Sequence, residues 1–181
     1  MTNSASAYDL TPETATDRLA TFTLLVDNEA GVLHRVVGLF SGRGYNIESL
    51  TVAETDRKSH TSRITVVTRG APHTLEQIEA QLAKVISVRK VRDVSGDPSA
   101  VQRELALIKV KGSGQQRVEA LSVADIFRAK VIDTTLESFV FELTGATEKI
   151  DSFVELMRPL GLVELSRTGV LSIERGPSAG I

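Results

Sequence analysis

The chain contains no cysteine among its 181 residues. A disulfide framework, a thiolate nucleophile and a zinc site with cysteine ligands are therefore excluded, and a cytoplasmic location is the simplest expectation. The three histidines, His34, His60 and His73, lack the i, i+4 spacing of helical metal ligands. We interpret them as solvated or structural side chains and expect no metal site.

The chain also has few aromatic residues, no excess of basic residues and no long apolar run. Aromatics make up 4% of the chain, and the formal net charge is −2. With a pI near 6.0, the chain has no general attraction for phosphate backbones or anionic lipids. Its apolar runs are far shorter than the roughly 20 residues of a membrane span. We expect neither a nucleic-acid partner nor a membrane partner.

The first 20 residues are rich in serine, threonine and alanine, as in a transit peptide. Asp9, Glu13 and Asp17 argue against that assignment, because transit peptides are poor in acidic residues. We interpret residues 1–20 as a disordered tail and residues 176–181 as a second, short tail.

Hydrophobic periodicity predicts the order βαββαβ in residues 21–96. Phe22, Leu24 and Val26 alternate with polar residues, and apolar residues from Val32 to Phe40 follow helical spacing. The predicted strands are 21–27, 47–54, 63–68 and 88–94, with helices at 32–40 and behind Pro72. We expect Gly42 and Gly44 to end the first helix in left-handed conformations.

The same order is predicted to repeat in residues 103–175, after a linker at 97–102. Strands are expected at 104–110, 131–136, 139–143 and 163–173, the last interrupted at 167–169, with a helix at 148–157. The other helix is predicted from an apolar stripe of Val118, Leu121, Ile126 and Phe127. The fold class is therefore α+β, with two tandem ferredoxin-like domains.

Each predicted half is small, and its helices would cover only one face of its sheet. A lone core of this size contributes about 3–5 kcal/mol, and oligomerisation commonly adds the missing stability. We therefore expect a homo-oligomer that uses an open sheet face or a sheet edge.

Catalytic motifs are not found. Ser41 lacks the G-x-S-x-G frame of a nucleophile elbow, and Gly112-Ser113-Gly114 lacks the third glycine of a dinucleotide fingerprint. No phosphate-binding loop with its lysine occurs. The pattern favours a binding protein over an enzyme.

One segment does predict a binding site. Between Asp27 and Leu33 a strand runs into a helix start, with a glycine, Gly31, at the turn. Free backbone N–H groups of Gly31, Val32 and Leu33 can hold a carboxylate there, with help from the helix dipole. The alternative is that Asn28 only caps the helix and Gly31 only permits a tight turn. Spacing leaves both interpretations open.

The sequence resembles the regulatory small subunits of acetolactate synthase, whose N-terminal part is an ACT domain. The matching segments are 27–33, 40–52, 75–78, 103–105, 126–133 and 166–169, so the resemblance covers roughly residues 21–175. Its most specific run is Arg43-Gly44-Tyr45-Asn46-Ile47-Glu48-Ser49-Leu50.

The resemblance implies a homodimer joined through ACT domains and a partnership with a large catalytic subunit. That subunit would carry thiamine diphosphate, magnesium and FAD, and this chain would carry no cofactor. The resemblance also implies activation of the partner and feedback inhibition by valine or a related branched-chain amino acid. The implied effector pocket combines Asn28, Gly31, Val32 and Leu33 of one protomer with Asn46 and Ile47 of its neighbour.

Three other functions fit the sequence less well. An acylphosphatase-like enzyme needs a phosphate-binding arginine in the first strand-to-helix loop, where none occurs, and an RNA-recognition module needs aromatics on the third strand, which has none. An ACT-domain amino-acid sensor for another biosynthetic enzyme is closer, but the run from Arg43 to Leu50 argues against it.

Overall fold

The computed structural model describes residues 16–177. Most of the predicted tail, residues 1–15, lies outside this range, as do residues 178–181 of the second tail. The first strand begins at Arg18, three residues before the predicted start. Ala20, assigned to the tail by the sequence, is buried in the core because it continues the inward-facing series of this strand.

The N-terminal half has the predicted order βαββαβ. Strands β1 to β4 are Arg18–Asp27, Ile47–Asp56, Thr61–Gly70 and Val88–Asp93, and helices α1 and α2 are Val32–Ser41 and Pro72–Leu82. The strands form one antiparallel sheet in the order β2-β3-β1-β4. Alternate residues of β1 and β3 pack against Val36 and Phe40 of α1 and Ile78 of α2, so both helices cover the same face.

The C-terminal half repeats this plan. Strands β5 to β8 are Ala100–Lys111, Lys130–Thr134, Ser138–Gly145 and Leu162–Arg167, and helices α3 and α4 are Gly114–Phe127 and Thr147–Met157. The sheet order is β6-β7-β5-β8, again antiparallel. Phe141 and Phe153 meet edge to face at 6.1 Å in the core. Two antiparallel sheets with helices confirm the predicted ferredoxin-like fold class.

The C-terminal sheet has a fifth strand that was not predicted as a separate element. The predicted strand 163–173 divides at its Arg167–Gly169 interruption, and β9 (Leu171–Glu174) turns back to pair with Ala100–Arg103 of β5. The predicted linker, residues 97–102, is consequently too long. Residues 100–102 belong to β5 because they hydrogen-bond to β9.

Helix α3 packs through only part of its predicted stripe. Val118 and Ile126 are 56% and 75% exposed, whereas Ala120 and Ala124 are buried. Small side chains bring the helix close to the sheet, and the Arg117 guanidinium covers the Phe139 ring at 3.8 Å. The stripe prediction was therefore wrong for Val118, Leu121 and Ile126, which are exposed, and right for Phe127, which packs against the core and contacts the Phe153 ring at 5.3 Å.

The outer face of the N-terminal sheet is covered by the C-terminal half. Thr21, Thr23 and Thr65 on this face are at most 6% exposed. The Arg63 guanidinium donates to the Ser172 carbonyl at 3.1 Å, and Arg92 forms an ion pair with Glu174. Strand β9 and the start of β5 thus occupy a face that the sequence suggested would remain open for another subunit.

Gly42 also differs from the prediction. Its φ is −65°, so it prolongs the right-handed turn after α1, and only Gly44, with φ 70°, takes the left-handed conformation. Among the described residues, no helix is long and apolar enough to cross a membrane.

Candidate functional site

Helix α1 begins at a left-handed glycine. Gly31 has φ 87°, and no side chain caps the helix start. The Val32 N–H donates to the Glu29 carbonyl at 3.3 Å. Within the described part of the chain, the N–H groups of Gly31 and Leu33 have no acceptor. These two free donors, at the positive end of a helix dipole, suit a carboxylate.

Asn28 does not cap this helix. Its side-chain amide donates to Glu54 Oε1 at 3.3 Å, and its backbone N–H donates to the His60 carbonyl at 2.7 Å. The part of the alternative in which Asn28 caps the helix is therefore wrong. Asn28 is exposed beside the helix start and is tied instead to the far end of β2.

The predicted contributions of Val32 and Leu33 differ from one another. Val32 is 7% exposed and packs into the core, and its N–H is taken by the Glu29 carbonyl, so it does not supply the free donor that the sequence predicted. Leu33 is 39% exposed and offers both a free N–H and apolar surface. Gly31 and Leu33 thus present two N–H groups without an acceptor in the described residues, beside the half-exposed Leu33 side chain.

Arg35 is a site residue that the sequence analysis missed. Its Nη1 atom lies 3.6 Å from the position that a Cβ on Gly31 would take, so the guanidinium stands over the helix start. It is held there by an ion pair with Glu29 and a 2.8 Å hydrogen bond to Ser87 Oγ. Four residues separate Arg35 from Gly31, which is one helical turn and the only sequence signal for this contact.

Asn46 and Ile47 lie at the opposite end of the sheet within the same chain. On β3, Asp27 pairs with Thr61, whereas Ile47 pairs with Thr68. Seven residues of extended strand correspond to roughly 24 Å. A single protomer therefore does not bring these two residues to the Gly31 turn.

The start of β2 is nevertheless ordered by specific contacts. Thr68 Oγ1 donates to the Asn46 carbonyl at 2.6 Å, and the Asn46 side-chain amide donates to Glu48 Oε1 at 3.1 Å. The register of β2 shifts between Ile47 and Ser49, so Glu48 forms a bulge. Strand β2 is also an edge strand of the described sheet.

No group of three or more histidine, aspartate or glutamate side chains in residues 16–177 is arranged to hold a metal ion. The candidate site at the start of α1 is built from backbone N–H groups and the Arg35 guanidinium.

Both halves match sequence families of known proteins. Residues 22–90 match a family described as the AHAS small subunit-like ACT domain, and residues 103–176 match a family described as the small subunit of acetolactate synthase. The boundary between the two matches falls close to the linker between the sheets.

Individual relatives agree with these matches. A probable acetolactate synthase small subunit of Archaeoglobus fulgidus is 44% identical over 86% of this chain and 96% of its own length. The acetolactate synthase isozyme 3 small subunit of Escherichia coli is 44% identical over 85% of this chain and 94% of its own. The crystal structure of the Thermotoga maritima small subunit superimposes with a TM-score of 0.77 and 36% identity, covering 89% of this chain and 99% of that one.

Proposed function

The chain belongs to the acetolactate synthase small-subunit family, and from this premise we propose that it is a non-catalytic regulator of the large subunit. It activates the catalytic subunit and makes it sensitive to valine or a related branched-chain amino acid. Thiamine diphosphate, magnesium and FAD belong to the catalytic partner, and the complex works in the cytoplasm.

The observation that carries the effector proposal is the Gly31 turn. The N–H groups of Gly31 and Leu33 have no acceptor among the described residues, and the Arg35 guanidinium lies beside Gly31 at the same exposed helix start. An α-amino acid presents its carboxylate to these donors. Its ammonium group then meets Asn28 Oδ1 or the Glu54 carboxylate, since the Asn28 amide already contacts Glu54 at 3.3 Å.

The aliphatic side chain of the effector requires apolar surface, which the second protomer supplies in this proposal. Strand β2 is an edge strand, so two copies can pair it antiparallel about a twofold axis. Pairing centred near Thr51 places the partner's start of β2 beside Glu54 of the first protomer. Asn46 and Ile47, distant within one chain, then join the Gly31 turn of the neighbouring copy.

This arrangement explains regulation in physical terms. A ligand that bridges two protomers binds only one dimer geometry well, and it therefore favours that geometry by its differential affinity. A coupling free energy of about 1–3 kcal/mol is typical of such linkage. The catalytic partner then responds to a change in the shape of the dimer.

The test is calorimetric titration of the purified chain with valine, leucine and isoleucine, using Gly31→Asp and Gly96→Asp as matched variants. Both glycines are left-handed, with φ 87° and 67°. A carboxylate at position 31 competes for the same donors, so we expect Gly31→Asp to weaken valine binding by at least 30-fold. Gly96→Asp adds the same backbone strain at a position away from the site, so its affinity for valine should equal that of the wild type.

The reconstituted complex provides the second readout. Acetolactate formation by the large subunit should rise when this chain is added and fall again with valine. The Gly31→Asp complex should remain active and valine-resistant. A Gly31→Asp complex with wild-type valine sensitivity contradicts the placement of the site, and an inert wild-type complex contradicts the function.

A further inference from the structure

Gly169, in the turn between β8 and β9, packs directly on strand β2 of the N-terminal half. A Cβ at this position would lie 2.5 Å from Ser49 Oγ and 2.9 Å from Thr51 Oγ1. Gly169 also adopts a left-handed backbone conformation, with φ 80°. Both the space and the backbone conformation therefore require glycine here.

Two hydrogen bonds fix the turn to β2 on either side of Gly169. The Val170 N–H donates to Ser49 Oγ at 3.2 Å, and Thr51 Oγ1 donates to the Thr168 carbonyl at 3.1 Å. The contact thus consists of turn backbone held between two short side chains. Such a contact has no long side chain whose rotamers could absorb a displacement of β2.

The same turn is anchored firmly in its own half. The Thr168 N–H donates to the Leu105 carbonyl at 3.0 Å, and the Leu105 N–H donates to Thr168 Oγ1 at 3.1 Å. The preceding residue, Arg167, binds Glu104 of β5 through two hydrogen bonds of 2.8 and 2.6 Å and Asp151 of α4 at 2.6 Å. A shift of the turn must therefore move β5 and α4.

On the other side, the contact lies close to the proposed effector residues. Ile47 is two residues before Ser49, and the bulge at Glu48 separates them. Glu48 and Leu50 also line a cleft of about 560 Å³, and Arg167 and Gly169 line the same cleft. A displacement of the start of β2 consequently reaches the interface between the halves within one or two residues.

We propose that the contact of the Gly169 turn with Ser49 and Thr51 transmits effector binding from the start of β2 to the C-terminal half. This inference rests on the function proposed above. When a ligand repositions Asn46 and Ile47, β2 moves Ser49 and Thr51, and the turn follows because packed backbone cannot deform gradually. Arg167 then carries the movement to β5 and α4.

The proposal predicts that a Gly169→Ala variant still binds valine but that valine inhibits its complex less. The methyl group forces the turn away from β2, whereas the Gly31 turn is untouched. In the complete chain, calorimetric affinity for valine should stay within about threefold of the wild type. In the complex with the large subunit, half-inhibition should require at least tenfold more valine.

Gly96→Ala is the matched control. Its φ is 67°, and a Cβ there meets nothing within 4 Å, so it adds the same left-handed strain without a clash. It should reproduce the wild type in both measurements. If Gly169→Ala is inhibited like Gly96→Ala, the Gly169 contact does not transmit the signal and the proposal is overturned.

A second variant covers the case in which Gly169→Ala fails to fold. Ser49→Ala with Thr51→Val removes both hydrogen bonds without adding volume, and it should raise the half-inhibitory valine concentration at least threefold. Unchanged inhibition of this double variant overturns the proposal. A wild-type chain that neither binds valine nor confers inhibition contradicts the underlying function instead, so the two failures are distinguishable.

Discussion

Glu104 and Arg167 form an ion pair across the C-terminal sheet, with Arg167 Nη2 2.6 Å from Glu104 Oε2. Glu104 is 4% exposed, although it lies on β5 next to the turn that contacts the N-terminal half. Hydrogen bonding to Glu104 is the main cause that raises the pKa of Arg167 above its ordinary value. The charged guanidinium therefore compensates the Glu104 side chain, which is buried away from solvent.

Replacing Glu104 with Gln should destabilise the protein by about 2–3 kcal/mol. The substitution removes one charge and leaves the partly buried Arg167 with a weaker acceptor, which is destabilising, although Asp151 still pairs with the guanidinium and keeps the loss below that of an unpaired buried charge. The control is Glu155→Gln, whose ion pair with Arg158 is exposed on both sides. Urea denaturation should show a change of less than about 0.5 kcal/mol for that variant. Equal changes would mean that burial adds nothing to the Glu104 pair.

Gly161→Ala should be more damaging than any other alanine substitution at a left-handed glycine of the C-terminal half. A Cβ on Gly161 would lie 2.0 Å from the Lys111 carbonyl oxygen, and backbone cannot step aside as a side chain can. Gly114 is also left-handed but has open space, so Gly114→Ala isolates the conformational strain of about 1–2 kcal/mol. We expect Gly161→Ala to exceed it by at least about 2 kcal/mol in chemical denaturation. Similar losses would contradict the close approach.

Most of the fold could be predicted from the sequence because each helix or strand is amphipathic, and its pattern of apolar residues is contained within a few neighbouring positions. Phe22, Leu24 and Val26 alternate as a half-buried strand must, and Val32, Val36 and Phe40 repeat as a helix must. Strand β9 was not predicted as a separate strand because four residues show too little periodicity. Its pairing with Ala100–Arg103 also depends on how the whole C-terminal half folds.

The candidate site could be predicted in part for the same reason. Gly31 at a strand-to-helix junction is a local signal. Arg35, in contrast, is held beside it by an ion pair with Glu29 and by a hydrogen bond to Ser87, which lies far along the chain. The placement of Asn28 beside Glu54 likewise depends on the arrangement of β2 at the sheet edge. Such contacts follow from the assembled sheet and leave no periodic pattern.

Asp97 should make stability depend on pH in the acid range. The Ser99 hydroxyl and then the Ser99 N–H, at 2.6 and 2.8 Å, together with Arg92, hold the pKa of Asp97 below its usual 3.8. A depressed carboxyl pKa contributes stability above the unfolded value, and this is lost as pH falls through the folded value. Urea midpoints of Asp97→Asn should therefore fall less between pH 5 and pH 2.5 than those of the wild type.

The control for this measurement is Asp125→Asn, at an exposed position of α3. Its midpoints should fall as steeply as those of the wild type over the same pH interval. If Asp97→Asn followed the wild-type curve as well, the carboxylate of Asp97 would have the same proton affinity in the folded and unfolded chains. The Ser99 and Arg92 contacts would then not stabilise its charge.

Helix α3 offers a direct comparison between the predicted face and the observed face. Ala124 is 2% exposed against the sheet, so Ala124→Leu inserts three carbons where there is no space and should cost about 1–3 kcal/mol. Ile126 is 75% exposed, so Ile126→Ser removes a large apolar side chain that is mostly in water. Its effect on the free energy of unfolding should stay within about 0.5 kcal/mol. Urea denaturation followed by circular dichroism ranks the two, and the reverse order would mean that α3 packs through Val118 and Ile126 after all.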